Sequence, residues 1–249
     1  MTHLTRRRIL AAAVGAGLLT LGAAPARAAA GLAPVELTQT AQIQSGDSLP
    51  GVALDWRETV NDSVVADTDL TTVSTDATGG VGLIVDEAVL PGDTGAVTLR
   101  ATLLDDGGAL QNAELALYFA LSDTAENGLT EPEREAGDDG DPAGDLHTTA
   151  TISIWRDMGV GTGNGRSEDI PFLTDGDEAI AAGTLAAVDA NPTFDDGYVL
   201  SRDGETCLAV GDAVYVSFRW EIPRGAGNLI QGDSARFTVG FVPRRCSEE

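Results

Sequence analysis

The chain has 249 residues, 39 of them acidic against 15 basic, for a formal charge of −24 at pH 7, and every basic residue apart from two histidines is arginine. This acidity excludes nucleic-acid binding, which needs clustered Arg or Lys against phosphate. The acids are spread along the chain, which fits life at high salt, where a Debye length of about 3 Å at 1 M screens the self-repulsion; the alternative is an ordinary acidic secreted protein whose charge is met by divalent cations.

The N-terminus differs from everything that follows. Thr5-Arg6-Arg7-Arg8-Ile9-Leu10 leads into an apolar Ala/Gly/Leu run ending near Ala24, then Pro25-Ala26-Arg27-Ala28. A basic segment with a twin-arginine pair, an apolar stretch and a small-residue cleavage site read as an export signal over residues 1–28. Cleavage is expected after Ala28, with Ala30 the alternative. It removes four arginines and no acid, so the mature chain is more acidic still. The expected location is extracellular or at the cell surface. Beyond Ala28 no stretch is long and apolar enough to span a membrane.

The next segment, residues 29–46, is read as extended. Val35, Leu37, Ala41 and Ile43 alternate with Glu36, Thr38, Thr40 and Gln42, a period-2 pattern with one apolar face. Gly46, Ser48, Pro50 and Gly51 follow as a hinge. Residues 47–249 are expected to form one β-sandwich domain of jelly-roll type with long acidic loops. Its strands are predicted at Val52–Arg57, Val81–Val85, Val97–Leu104, Glu114–Leu121, Thr149–Trp155, Val214–Trp220 and Ala235–Phe241. The last two alternate most clearly. At most one or two short helices are expected, one within Asp177–Asp189 around Thr184–Val188. Between strands stand turn formers such as Pro91-Gly92-Asp93 and Asp138-Asp139-Gly140-Asp141-Pro142. Ser122–Asp145 reads as a long acidic loop with too few apolar residues to pack by itself.

Two cysteines, Cys207 and Cys246, in an exported chain point to one disulfide; two buried free thiols are the alternative. The aromatics Trp56, Trp155, Trp220, Phe218, Phe237 and Phe241 fall on strand patterns and are assigned to packing rather than to sugar stacking.

An ordered set of segments carries a family resemblance. It comprises Leu54-Asp55-Trp56-Arg57-Glu58, Leu90-Pro91-Gly92-Asp93-Thr94-Gly95, Glu126-Asn127-Gly128-Leu129-Thr130-Glu131-Pro132-Glu133, Gly144-Asp145-Leu146, Ile152-Ser153-Ile154-Trp155, Gly183-Thr184-Leu185, and Val216–Pro223 followed by Asn228, Gln231 and Cys246. In this order and spacing the chain resembles the TasA/camelysin-like secreted proteins in the form found in salt-loving archaea. The resemblance implies a jelly-roll subunit of extracellular fibres, either biofilm-matrix filaments or bundling pili, in which an N-terminal strand of one subunit completes the sheet of the next. The partner is then a second copy of the chain, with the matrix or cell surface around it. The chain departs from the family after the signal, where Gly31-Leu32-Ala33-Pro34 stands in place of a Phe-Ser-Asp-like motif.

Camelysin-like proteins are described as metallopeptidases, yet a zinc peptidase wants paired histidines and a general base. Once His3 leaves with the signal, only His147 remains, expected at a strand start as a solvated or hydrogen-bonded edge residue. No Gly-x-Ser-x-Gly elbow is present, and no carboxylate pair stands out. The chain is therefore read as a non-enzyme that requires no cofactor. Calcium is the metal to consider. Asp157 and Glu168 occupy the first and twelfth places of a Gly-rich loop, but glycines hold the third and fifth, where oxygen ligands belong. That loop reads more simply as a turn, and the Asp138–Asp145 cluster as a solvated acidic loop.

Overall fold

The computed structural model describes residues 39–43, 49–61, 63–64, 80–85, 90–105, 110–158 and 177–247. Within them the chain is two antiparallel sheets packed face to face. In chain order the elements are β1 (Gln39–Ile43), β2 (Gly51–Val60), β3 (Ser63–Val64), β4 (Gly80–Val85), β5 (Thr94–Leu104), β6 (Asn112–Ala125), α1 (Glu131–Ala136), α2 (Leu146–Thr149) and β7 (Thr151–Arg156). Then follow β8 (Glu178–Thr184), α3 (Leu185–Asp189), a 3-10 turn at Pro192–Phe194, β9 (Tyr198–Leu200), β10 (Cys207–Ala209), β11 (Ala213–Glu221) and β12 (Ser234–Arg244).

One sheet runs β1-β2-β5-β11-β7-β8, with β3 also paired to β2; the other runs β10-β6-β12-β4, with β9 also on β6. The four-strand sets β5-β11-β7-β8 and β4-β12-β6-β9/β10 are the two halves of a jelly roll. Successive strands from β4 to β7 alternate between sheets, and the last two strands fill the middle of each. β1, β2 and β3 extend the first sheet beyond β5. The seven strands expected in the domain are present, the extended segment before it is a strand over Gln39–Ile43, and the expected all-β sandwich is the observed fold. Among the described residues there are three short α-helices, where one or two were expected.

Period-2 burial builds the core. Val52, Leu54 and Trp56 of β2, Val97, Leu99, Ala101 and Leu103 of β5, and Val214, Val216, Phe218 and Trp220 of β11 are buried from one sheet. Leu115, Leu117 and Phe119 of β6 and Ala235, Phe237, Val239 and Phe241 of β12 are buried from the other. Phe218 meets Phe237 edge-on across the layers at 5.9 Å between ring centroids, and Phe237 meets Phe119 at 5.2 Å. Such pairs add about 0.5–1.5 kcal/mol beyond area burial. All six aromatics assigned to packing are buried.

Cys207 and Cys246 form a disulfide with 5.4 Å between Cα atoms. Cys207 and Arg244 both lie opposite Glu114 of β6, one on each side. The bridge thus carries the chain end across the start of β6, and Ser247 N–H donates to the Glu114 Oε1 at 3.0 Å.

The predicted helix at Thr184–Val188 is α3. Thr184 caps it, its hydroxyl accepting from Ala187 N–H at 3.2 Å. His147 lies in α2, not at a strand start, because α2 forms one turn before β7 begins.

Candidate functional site

The residues singled out in the sequence fall at three places. The first is the edge of the β1-containing sheet. β1 pairs antiparallel with β2 over five residues, Ala41 opposite Leu54 and Ile43 opposite Val52. It is the outermost strand of its sheet. Val35 and Leu37 lie outside the described residues, as do the signal segment and most of the hinge. In this single chain the β1 segment therefore sits on its own sheet, held by one neighbour.

The second place is Asp157, immediately after β7. It is buried, and its Oδ2 accepts from Ser217 Oγ at 2.6 Å; Ser217 Oγ lies 3.0 Å from Thr98 Oγ1. Thr98, Ser217 and Asp157 thus form a buried polar chain across β5, β11 and the end of β7. A shallow cleft opens beside it, lined by Arg156, Asp157, Met158, Ser201, Arg202 and Asp203. Glu168 and the loop from 159 to 176 lie outside the described residues.

The third place lies mostly in Ser122–Asp145, expected as a long acidic loop; instead β6 runs on to Ala125, Glu131–Ala136 is a helix, and Glu126 and Glu133 are buried together with Asp233. β6 and β12 pair as far as Ala125 opposite Ser234. One residue beyond that pair on each strand stand Glu126 and Asp233, two acids where the ladder ends. Glu133 comes in from the first turn of α1. One carboxylate oxygen from each of Glu126, Glu133 and Asp233 lies within 4.8 Å of the other two, and all three residues are buried.

Local sequence explains how the chain brings them there. Thr130 is the N-cap of α1, and Glu133 three residues later reaches back to accept from Thr130 N–H at 2.5 Å, half of a capping box. This fixes the Glu133 side chain inward. Gly137, left-handed at φ 89°, ends the helix. Asp233 Oδ2 accepts from Asp145 N–H at 2.5 Å and Leu146 N–H at 3.0 Å at the start of α2. Gly144 (φ 63°) passes so close that a Cβ there would lie 2.6 Å from the Asp233 carboxylate, so only glycine fits. Asn127 Nδ2 donates to Gly232 O and Ser234 Oγ, both at 2.9 Å, and ties the two strand ends together.

The electrostatics are severe. Burial, with Asp233, Glu133 and Asp138 beside it, pushes the Glu126 carboxyl up to about 7. Burial likewise raises Asp233, against the N–H groups that lower it. The sequence signal for this centre is Thr130-x-x-Glu133, a helix start that the low apolar content of the surrounding loop obscures. Two segments of the family resemblance, Glu126–Glu133 and Gly144–Leu146, meet at it.

No protein-family model, curated protein or solved structure matches the chain. Among the described residues no helix is long and apolar enough to cross a membrane.

Proposed function

We propose that this protein is an exported structural subunit that assembles head to tail into extracellular filaments by exchanging its N-terminal strand, with no catalytic step. The supporting observation is the position of β1. It is the N-terminal strand described, it lies at a sheet edge, and it pairs with β2 alone in that sheet. The same backbone hydrogen bonds form whether β1 comes from the same chain or from a neighbour. Residues 44–50 join it to β2, and opening that connection lets β1 reach the next copy. A contact of this kind is head-to-tail and does not close on itself, so it propagates. It also keeps an edge covered that otherwise invites random pairing. A short connection gives self-pairing an effective concentration in the millimolar range, so exchange requires dense protein, as on a secreting surface.

A cross-strand disulfide tests this reading. Gln42 lies opposite Ala53, and the double variant Gln42→Cys, Ala53→Cys reports which chain supplies β1. Under oxidation at high protein concentration and high salt, exchange yields a ladder of covalent oligomers on a non-reducing gel and filaments by negative-stain microscopy. A monomer band alone, with no filaments, refutes it. So does a protein lacking Ala33–Gln44 that still polymerises.

The intramolecular pairing of β1 favours a second reading, a monomeric module of the surface or matrix. Monodisperse light scattering of the unmodified mature protein at high concentration selects it.

A further inference from the structure

Acidic clusters are ordinary on a chain with 39 acids; burial separates this one. Glu126 is 7 % exposed, and Glu133 and Asp233 are fully buried. Glu126 and Asp233 face each other carboxyl to carboxyl, and no N–H group or hydroxyl donates to either oxygen of Glu126, to Glu133 Oε1 or to Asp233 Oδ1. Asp138 Oδ2, from the turn after α1, is also buried without a donor. None of the described ion pairs reaches these acids. Uncompensated burial of carboxylates costs several kcal/mol per group. Like charges directly opposite at a strand pair add to that cost. The protein nevertheless organises the site. A capping box orients one carboxylate, two backbone N–H groups orient another, and a glycine clears space against it.

Unpaired oxygens converging from three chain segments are what a hard cation requires. Two oxygens each about 2.4 Å from one ion lie at most about 4.8 Å apart, and the three carboxylates meet that limit. The donors are oxygen only, without His or Cys, which selects calcium or magnesium over zinc or copper. Magnesium holds on to its water, whereas calcium accepts a full set of protein oxygens; a buried pocket of carboxylates suits calcium.

We propose that Glu126, Glu133 and Asp233, with Asp138 flanking them, bind one calcium ion that fastens the end of β6, helix α1 and the start of β12 into one unit. The site shares no residue with the Asp157–Glu168 loop, and the proposal does not depend on strand exchange. Through the Asp233 carboxylate it also holds the start of α2.

Equilibrium dialysis tests the assignment. The protein is stripped with EDTA, held in about 1 M KCl so that surface charge is screened, and dialysed against radioactive calcium, with thermal melts in parallel. One ion per chain is expected. At a hundredfold excess over Kd the melting temperature should rise by about 5–10 °C. Glu126→Gln preserves volume and removes one buried charge. It should weaken calcium about 100-fold or more, beyond the 10–100-fold that loss of a supporting partner costs. In EDTA it should melt at or above the unmodified protein, because a repulsion is gone. Glu131→Gln, at an exposed position on the same helix, should bind as the unmodified protein does. Absence of stoichiometric calcium on the unmodified protein overturns the proposal whatever the variants do. Equal affinity in Glu126→Gln overturns it as well.

Discussion

Gly95 is where the packing can be tested most sharply. It is the second residue of β5, opposite Trp220 of β11, and a Cβ built on it would lie 2.2–2.4 Å from three indole atoms of Trp220. Ordinary carbon contacts sit at about 3.5–4.0 Å, so Gly95→Ala demands a displacement of more than about 1 Å. Trp220 is 4 % exposed, and its partner on the neighbouring strand β7 is Ile152, itself buried, so the indole can retreat only against packed neighbours. The cost should fall at the top of the usual overpacking range, about 3 kcal/mol. Lower entropy of the unfolded chain returns about 0.4–1 kcal/mol, leaving a net loss of about 2–3 kcal/mol. Denaturant unfolding at high salt measures this as a lower midpoint with an unchanged slope. Trp220→Leu alone should cost about 3 kcal/mol through the cavity it leaves. The two changes together should cost about 2 kcal/mol less than their sum, because Leu leaves room for the new methyl. A neutral Gly95→Ala, or strict additivity, refutes the account of this contact.

Other outcomes follow from features of the same structure. Reducing Cys207–Cys246, which closes a loop of 39 residues, should lower stability by about 4 kcal/mol, read from unfolding with and without reductant; an unmoved midpoint refutes that cost. Ser217→Ala removes the hydroxyl that donates to buried Asp157 and should cost about 2 kcal/mol in a thermal melt, where a change below about 0.5 kcal/mol counts against a contribution from that chain. Transfer of the mature protein to dilute buffer should unfold it through charge repulsion, seen as loss of the β circular-dichroism signal, and retention of that signal rules out adaptation to salt.

The strands of the jelly roll were legible because alternation is a local property. Val214, Val216, Phe218 and Trp220 carry their own pattern, and no partner is needed to read it. β8 escaped because Glu178-Ala179-Ile180-Ala181-Ala182-Gly183-Thr184 is alanine-rich and lacks the β-branched and bulky residues that mark strands; pairing with β7 decides its state. β9 and β10 have three residues each, too few to show a period. The disulfide was legible from count and setting. The carboxylate centre was not, since acids look alike in a sequence that is full of them. What distinguishes Glu126 and Asp233 is that β6 and β12 stop one residue short of them, a fact of pairing over more than a hundred positions. Glu133 was closer to legible, since Thr130-x-x-Glu133 with Pro132 is a helix start.

The placement of β11 and β12 has a consequence for biogenesis. These final strands occupy the centre of both layers, β11 between β5 and β7 and β12 between β4 and β6. A chain still lacking them has each layer cut in two, β1-β2-β5 parted from β7-β8 and β9-β6-β10 parted from β4, so neither sheet can be completed before both strands are in place. The contacts that close the sandwich are therefore long-range ones, formed late and together rather than strand by strand.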